Sequence, residues 1–180
     1  MSLRFWIIVL TSIFAISRPC TLFAQPGMIS ANEHRNIEFA TTESKKLLLD
    51  IFTPKDADEP LPLIVWVHGG AWLGGDKENC PAVGFVNRGY VVASISYRLS
   101  HEAIYPAQIE DCKAAIRWLR AHAAEYGIDH DRIGVWGASA GGHLVALLGT
   151  TGDVRELEQQ HENLDQSSRV QAVCDFFGPS

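Results

Sequence analysis

The chain has 180 residues, with 15 Lys and Arg against 21 Asp and Glu, a formal charge of −6, and 47% apolar residues. That composition agrees with a soluble enzyme domain. The mild, interspersed acidity argues against a nucleic-acid binder and leaves the substrate open.

In chain order the first element is a leader. Arg4 precedes an apolar stretch, Phe5 to Ile16, that is too short to span a bilayer. Ser17, Arg18, Pro19 and Cys20 break it, and Leu22-Phe23-Ala24 offers a cleavage site before Gln25. Residues 1–24 therefore read as a secretory signal peptide, with a membrane anchor as the alternative. The protein is expected to be exported, periplasmic or secreted, with no stable membrane span after signal removal. Residues 25–35 read as an N-terminal extension. The remaining cysteines, Cys80, Cys112 and Cys174, are odd in number and lack a Cys-x-x-Cys spacing, so no disulfide framework or zinc site is indicated. Cys112 and Cys174 are expected as small buried hydrophobes.

Asn36 to Ala40 and Lys46 to Thr53 predict two strands joined by a polar turn, an antiparallel opening pair. Pro54 to Pro60 is a surface loop before the apolar run Leu63-Ile64-Val65-Trp66-Val67. That run ends in His68-Gly69-Gly70-Ala71-Trp72, where paired glycines let backbone N–H groups point into open space. A helix is expected within Cys80–Arg88 and a strand over Tyr90–Tyr97. Pro106 opens a helix with Ile109, Cys112, Ile116, Leu119 and Ala123 on one face, and Gly127 closes it. Arg98 is expected to pair with a carboxylate such as Asp111.

The next strand, Arg132 to Trp136, runs into Gly137-Ala138-Ser139-Ala140-Gly141. A serine hydroxyl needs a base and a presenting geometry. A Gly-x-Ser-x-Gly turn between strand and helix supplies the geometry, placing the oxygen above the sheet on a strained bend. Gly137 and Gly141 are required because the two backbones pass too close for a β-carbon. The following helix offers its free N–H groups and positive end to negative charge. Val170 to Phe177 predicts a last strand. Strands alternating with helices at this spacing imply an α/β fold with a mostly parallel central sheet. Neither a metal-ligand cluster nor a phosphate loop or nucleotide fingerprint appears, so no cofactor is expected.

Four blocks carry a family resemblance: Ile64 to Trp72, Ser96 to Ser100, Asp111 to Leu119, and Gly134 to His143. Together they resemble bacterial α/β-hydrolases of the esterase/lipase group related to hormone-sensitive lipase and to feruloyl-esterase-like enzymes. The resemblance covers roughly residues 37–180. It implies an α/β-hydrolase sandwich of which residues 36–180 form the N-terminal part of a single domain, with the first six of eight strands present. It implies Ser139 as nucleophile, the N–H groups of Gly70, Ala71 and Ala140 as oxyanion hole, and His68 and Gly69 as support for the oxyanion loop. Trp72 either borders the acyl pocket or packs in the core. The oxyanion loop has Ala71 where relatives of hormone-sensitive lipase usually carry a third glycine.

The resemblance also implies an acid after a seventh strand and a histidine after an eighth, which would lie past Ser180. Within the chain only His143 and His161 follow Ser139. His143 sits one turn along the same helix, where packing is its expected role. His161 lies in a polar segment with only Asp153 before it in the right order. Asp175 stands where some lipases carry their acid, but no histidine follows it. The expectation is a carboxylic-ester hydrolase acting on a small-molecule ester, represented by a C-terminally truncated chain that is by itself inactive. Peptidase, amidase or formamidase action is the alternative within the superfamily. The sequence leaves the oligomeric state undetermined.

Overall fold

Period-two alternation along the central strands decides how the molecule is layered. In Leu61–Val67 (β3), Leu63, Val65 and Val67 point to one face of the sheet, and Ile64 and Trp66 point to the other. A computed structural model describes residues 30–152, 154–158 and 162–180. The leader, Asp153 and His161 lie outside the described residues.

The other strands are Ala31–Thr41 (β1), Lys46–Pro54 (β2), Val91–Ile95 (β4), Ile128–Ala138 (β5) and Ala172–Phe176 (β6). They form one sheet in the order β1-β2-β4-β3-β5-β6. The pairs β4–β3, β3–β5 and β5–β6 are parallel, with Val65 between Ala93 and Val135, while β1–β2 and β2–β4 are antiparallel. Parallel strands buried on both faces read as unbroken apolar runs, as β3 and β4 do.

Helices Ala107–Ala121 (α1) and Ala140–Thr150 (α2) cover one face. Ile109, Cys112, Ile116 and Leu119 of α1 and Leu144, Val145 and Leu148 of α2 close over Val65, Val67, Ile133 and Val135. Each such side chain, fully buried, contributes about 1.5–3 kcal/mol by leaving water. A 3-10 helix, Pro81–Arg88, covers part of the other face through Ala82 and Val86, packed with Phe52, Trp66 and Val92.

Four expectations change. Residues 31–35, read as an extension, belong to β1. Its first half is exposed on the sheet edge, so pairing with β2 holds it there and no apolar pattern marks it in sequence. The segment after Cys80 winds as a 3-10 helix, ended by Gly89 at φ 81. Helix α1 stops at Ala121, before Gly127, which turns the chain at φ 63 into β5. Cys174 is exposed, because nothing among the described residues pairs with the outer side of β6. Val173, Phe176 and Phe177 are likewise 42%, 45% and 78% exposed. An apolar hollow of about 350 Å³ runs along this part of the sheet, between Phe85, Trp136 and Val173.

Candidate active site

Ser139 bridges β5 and α2 with φ 56 and ψ −121, a backbone conformation that costs a non-glycine residue about 1–3 kcal/mol. Backbone packing enforces that bend. A β-carbon on Gly137 would overlap the Gly141 carbonyl, and one on Gly141 would overlap the carbonyl oxygen of Val67. The Ser139 N–H donates to Phe176 O (2.9 Å), tying the bend to the end of β6.

The loop after β3 rides directly on this elbow. A β-carbon on Gly69 would stand 2.6 Å from Ala138 O and 3.4 Å from Ser139 Cβ. Gly70, Ala71 and Trp72 then follow one another at φ 113, 54 and 58. Three successive positive φ values, two of them without glycine, make a tight left-handed turn. Leu73 and Gly74 N–H groups both donate to Gly70 O and close it. Among the described residues no acceptor takes the N–H of Gly70, Ala71 or Ala140. Three unfilled donors around one serine can stabilise an anion that develops beside it.

His68 is buried beneath the loop. Its Nδ1 lies 2.7 Å from Gly69 O, its ring stacks on Tyr97 with centroids 4.3 Å apart, and Tyr97 Oη donates to His68 O (2.9 Å). Burial pushes the imidazole below its ordinary pKa, against the Gly69 carbonyl, which favours the charged form. A neutral, wedged ring supports the loop. A β-carbon on Gly75 would stand 2.5 Å from its Nδ1, so the loop folds back over it.

Trp72 meets the edge of the His143 ring at 5.4 Å. Both line a cavity of about 270 Å³, with Ser100, Tyr105, Gln108 and Leu144. His143 N–H donates to Ser139 O, and its Nδ1 is buried without a partner among the described residues. No imidazole hydrogen-bonds the Ser139 hydroxyl among the described residues. Asp175 Oδ1 accepts from Gly178 N (2.9 Å) beside Gly142, so it serves the chain turn after β6. A larger hollow of about 580 Å³ lies where β3 begins, between the Pro54–Glu59 loop and Asn87. It is remote from Ser139. Half-buried Asp129 and exposed His130 and Asp131 gather at the start of β5, where Arg132 already pairs with Asp129 (2.5 Å).

Below the site, Asp111 accepts from Arg98 N (2.8 Å), Nε (2.9 Å) and Nη2 (2.6 Å), all buried. This pair fixes the chain leaving β4 against α1. In sequence Glu102 stands at a strand's C-terminal end, where sites gather, but nothing local marks Lys45, 57 residues away, as its partner, or Ser100 as reaching Trp72 across 28 residues.

The sequence profile of the BD-FAE family matches residues 49–180, most of the chain. The chain belongs to the BD-FAE family. Among curated relatives, the probable carboxylic ester hydrolase LipM of Mycobacterium tuberculosis is 36% identical over 135 residues, 72% of this chain and 31% of the relative. Esterase LipC of the same organism is 38% identical over 137 residues, 73% and 33% of the two chains. The solved structure of a truncated carbohydrate esterase from gut microbiota superposes with TM-score 0.77 at 36% identity, covering 86% of this chain and 59% of that one. A thermophilic esterase of Thermogutta terrifontis gives 0.68 at 32%, covering 80% and 51%. This BD-FAE chain thus has the α/β-hydrolase fold, spanning about a third of the curated relatives and just over half of the solved ones.

Proposed function

We propose that the protein is a carboxylic-ester hydrolase and that this chain supplies its nucleophile and oxyanion hole. Ser139 Oγ attacks the ester carbonyl carbon. The carbonyl oxygen becomes an anion held by the N–H groups of Gly70, Ala71 and Ala140. The alkoxide leaves with a proton, and water then releases the acyl group from Ser139. The observation that carries this reading is the contact of the Gly69 turn with the elbow, three unfilled N–H donors around one strained serine. The relatives, named as carboxylic ester hydrolase, esterase and carbohydrate esterase, support ester over amide.

We take the base that accepts the Ser139 proton to lie outside the described residues, a reading supported by the lack of any hydrogen bond from a described histidine to its hydroxyl. Loss of the base alone costs a serine hydrolase on the order of 10⁶ in rate, so the 180-residue chain by itself is taken as inactive in the full reaction. Residues 1–24 support export. The test joins this chain to the part of the gut carbohydrate esterase that the match leaves uncovered. The expected result is hydrolysis of p-nitrophenyl acetate that Ser139→Ala abolishes. Hydrolysis unchanged by Ser139→Ala, or activity on anilides alone, would overturn the reading.

A further inference from the structure

The oxyanion turn carries a backbone cost. Ala71 and Trp72 both hold left-handed φ values, at about 1–2 kcal/mol each for residues with a β-carbon. Such backbone persists only where surroundings over-determine it. The closing bonds from Leu73 and Gly74 N–H to Gly70 O span both residues, and the Trp72 carbonyl, turned away from that closure, is held from outside the turn.

The Trp72 carbonyl is gripped twice by one residue. Ser100 N–H donates to it at 2.7 Å and Ser100 Oγ at 3.0 Å. Ser100 is placed by a turn of its own, in which Glu102 and Ala103 N–H groups donate to Leu99 O (2.8 and 3.0 Å). The Glu102 carboxylate returns to accept from Leu99 N (2.8 Å), locking that turn from the side-chain direction. Lys45, at the end of the β1–β2 turn, then clamps Glu102 with Nζ at 2.8 and 3.1 Å from its two oxygens. Lys45 is itself fixed, its N–H donating to Thr42 Oγ1 and its carbonyl accepting from Thr42 N. Partial burial pushes the Glu102 carboxyl up, but the Lys45 ammonium and the Leu99 N–H together hold it below the ordinary range.

We propose that Lys45, Glu102 and Ser100 form a brace that sets the Ala71–Trp72 backbone, and with it the oxyanion donors, making the three positioning residues for the reaction. The proposal rests on the ester-hydrolase reading above. None of the three needs to touch substrate. Their effect reaches the carbonyl oxygen through the Trp72 peptide, one residue from the Ala71 N–H.

The brace is read on the joined protein described above, with p-nitrophenyl acetate. Ser100→Ala and Glu102→Gln are expected to lower its kcat about tenfold with KM unchanged, a fraction of the 10²–10³ that a whole donor is worth. Lys45→Met should act in the same direction, while Ser100→Thr and Lys45→Arg keep the wild-type rate. Amide exchange at Leu73 and Gly74, whose N–H groups close the turn, should speed up in the damaging variants with no change in thermal midpoint. Unchanged kcat in Ser100→Ala and Glu102→Gln, or loss that the conservative variants share, would overturn the brace. Gly70→Ala separates the two ideas, because its β-carbon overlaps Gly74 O and spoils the turn. If Gly70→Ala leaves the rate unchanged, the oxyanion reading fails. Exchange at Leu73 and Gly74 then decides the brace alone, and slow exchange in the variants would sink it.

Discussion

The ends of β3 and β5 and the outer side of β6 are built on opposite terms. At the first, backbones approach so closely that Gly69, Gly137 and Gly141 leave no room for a β-carbon, and Ser139 is bent to φ 56. At the second, Val173, Cys174, Phe176 and Phe177 are exposed and the 350 Å³ hollow beside them stays open. The difference teaches where reactivity is specified. The proposed nucleophile and oxyanion donors are set by close backbone contacts among β3, β5, α2 and one loop, tied to the end of β6 through Ser139 N–H and held from Ser100, while the open outer side of β6 takes no part in placing them.

The largest way to break this contrast lies beneath the site. Asp111→Ala leaves the buried Arg98 without its principal partner and should cost about 3–5 kcal/mol in urea unfolding. Gly141→Ala comes next, since its β-carbon meets the Val67 and His68 backbone and cannot be relieved by a side-chain rotation. It should cost about 1–3 kcal/mol, the range for overpacking, or more. Ser139→Gly runs the other way, releasing strain, and should stabilise the chain by about 1 kcal/mol while removing the nucleophile. Val173→Lys, on the open side, should move stability by less than about 0.5 kcal/mol and reduce self-association in size-exclusion chromatography. A cost as large as that of Gly141→Ala would mean the outer side of β6 is covered after all.

The smallest effect is on pH. Burial lowers the His68 pKa in the folded state, so below about 6.5 the unfolded chain binds the extra proton more readily. Stability from this group is full above that pH and declines as pH falls below it. The urea midpoint should therefore drop between pH 7 and 5, and His68→Asn should flatten that slope.

What the sequence makes legible follows from how local the cause is. The elbow and the oxyanion turn announce themselves because glycine is demanded at fixed spacing by close backbone approach. Helix α1 shows in its apolar periodicity, and Arg98–Asp111 in the adjacency of strand end and helix start. The first half of β1 stays hidden because Asn32 to Asn36 are polar and exposed, and only hydrogen bonding to β2 makes them a strand. Cys174 looks like a core residue in sequence, since burial depends on what lies over β6 and not on the strand itself. The brace stays hidden for the same reason: Glu102 stands at a strand's end where sites gather, but its partner Lys45 is 57 residues away and only the fold brings them together.

The central claim, that the chain builds a nucleophile and oxyanion hole while the base lies outside its described residues, is tested most directly by fluorophosphonate labelling read by peptide mass spectrometry. The 180-residue chain should carry no adduct. The same chain joined to the part of the gut carbohydrate esterase that the match leaves uncovered should carry one, on Ser139. Stoichiometric labelling of Ser139 in the chain alone, or an adduct on another residue of the joined protein, would contradict it.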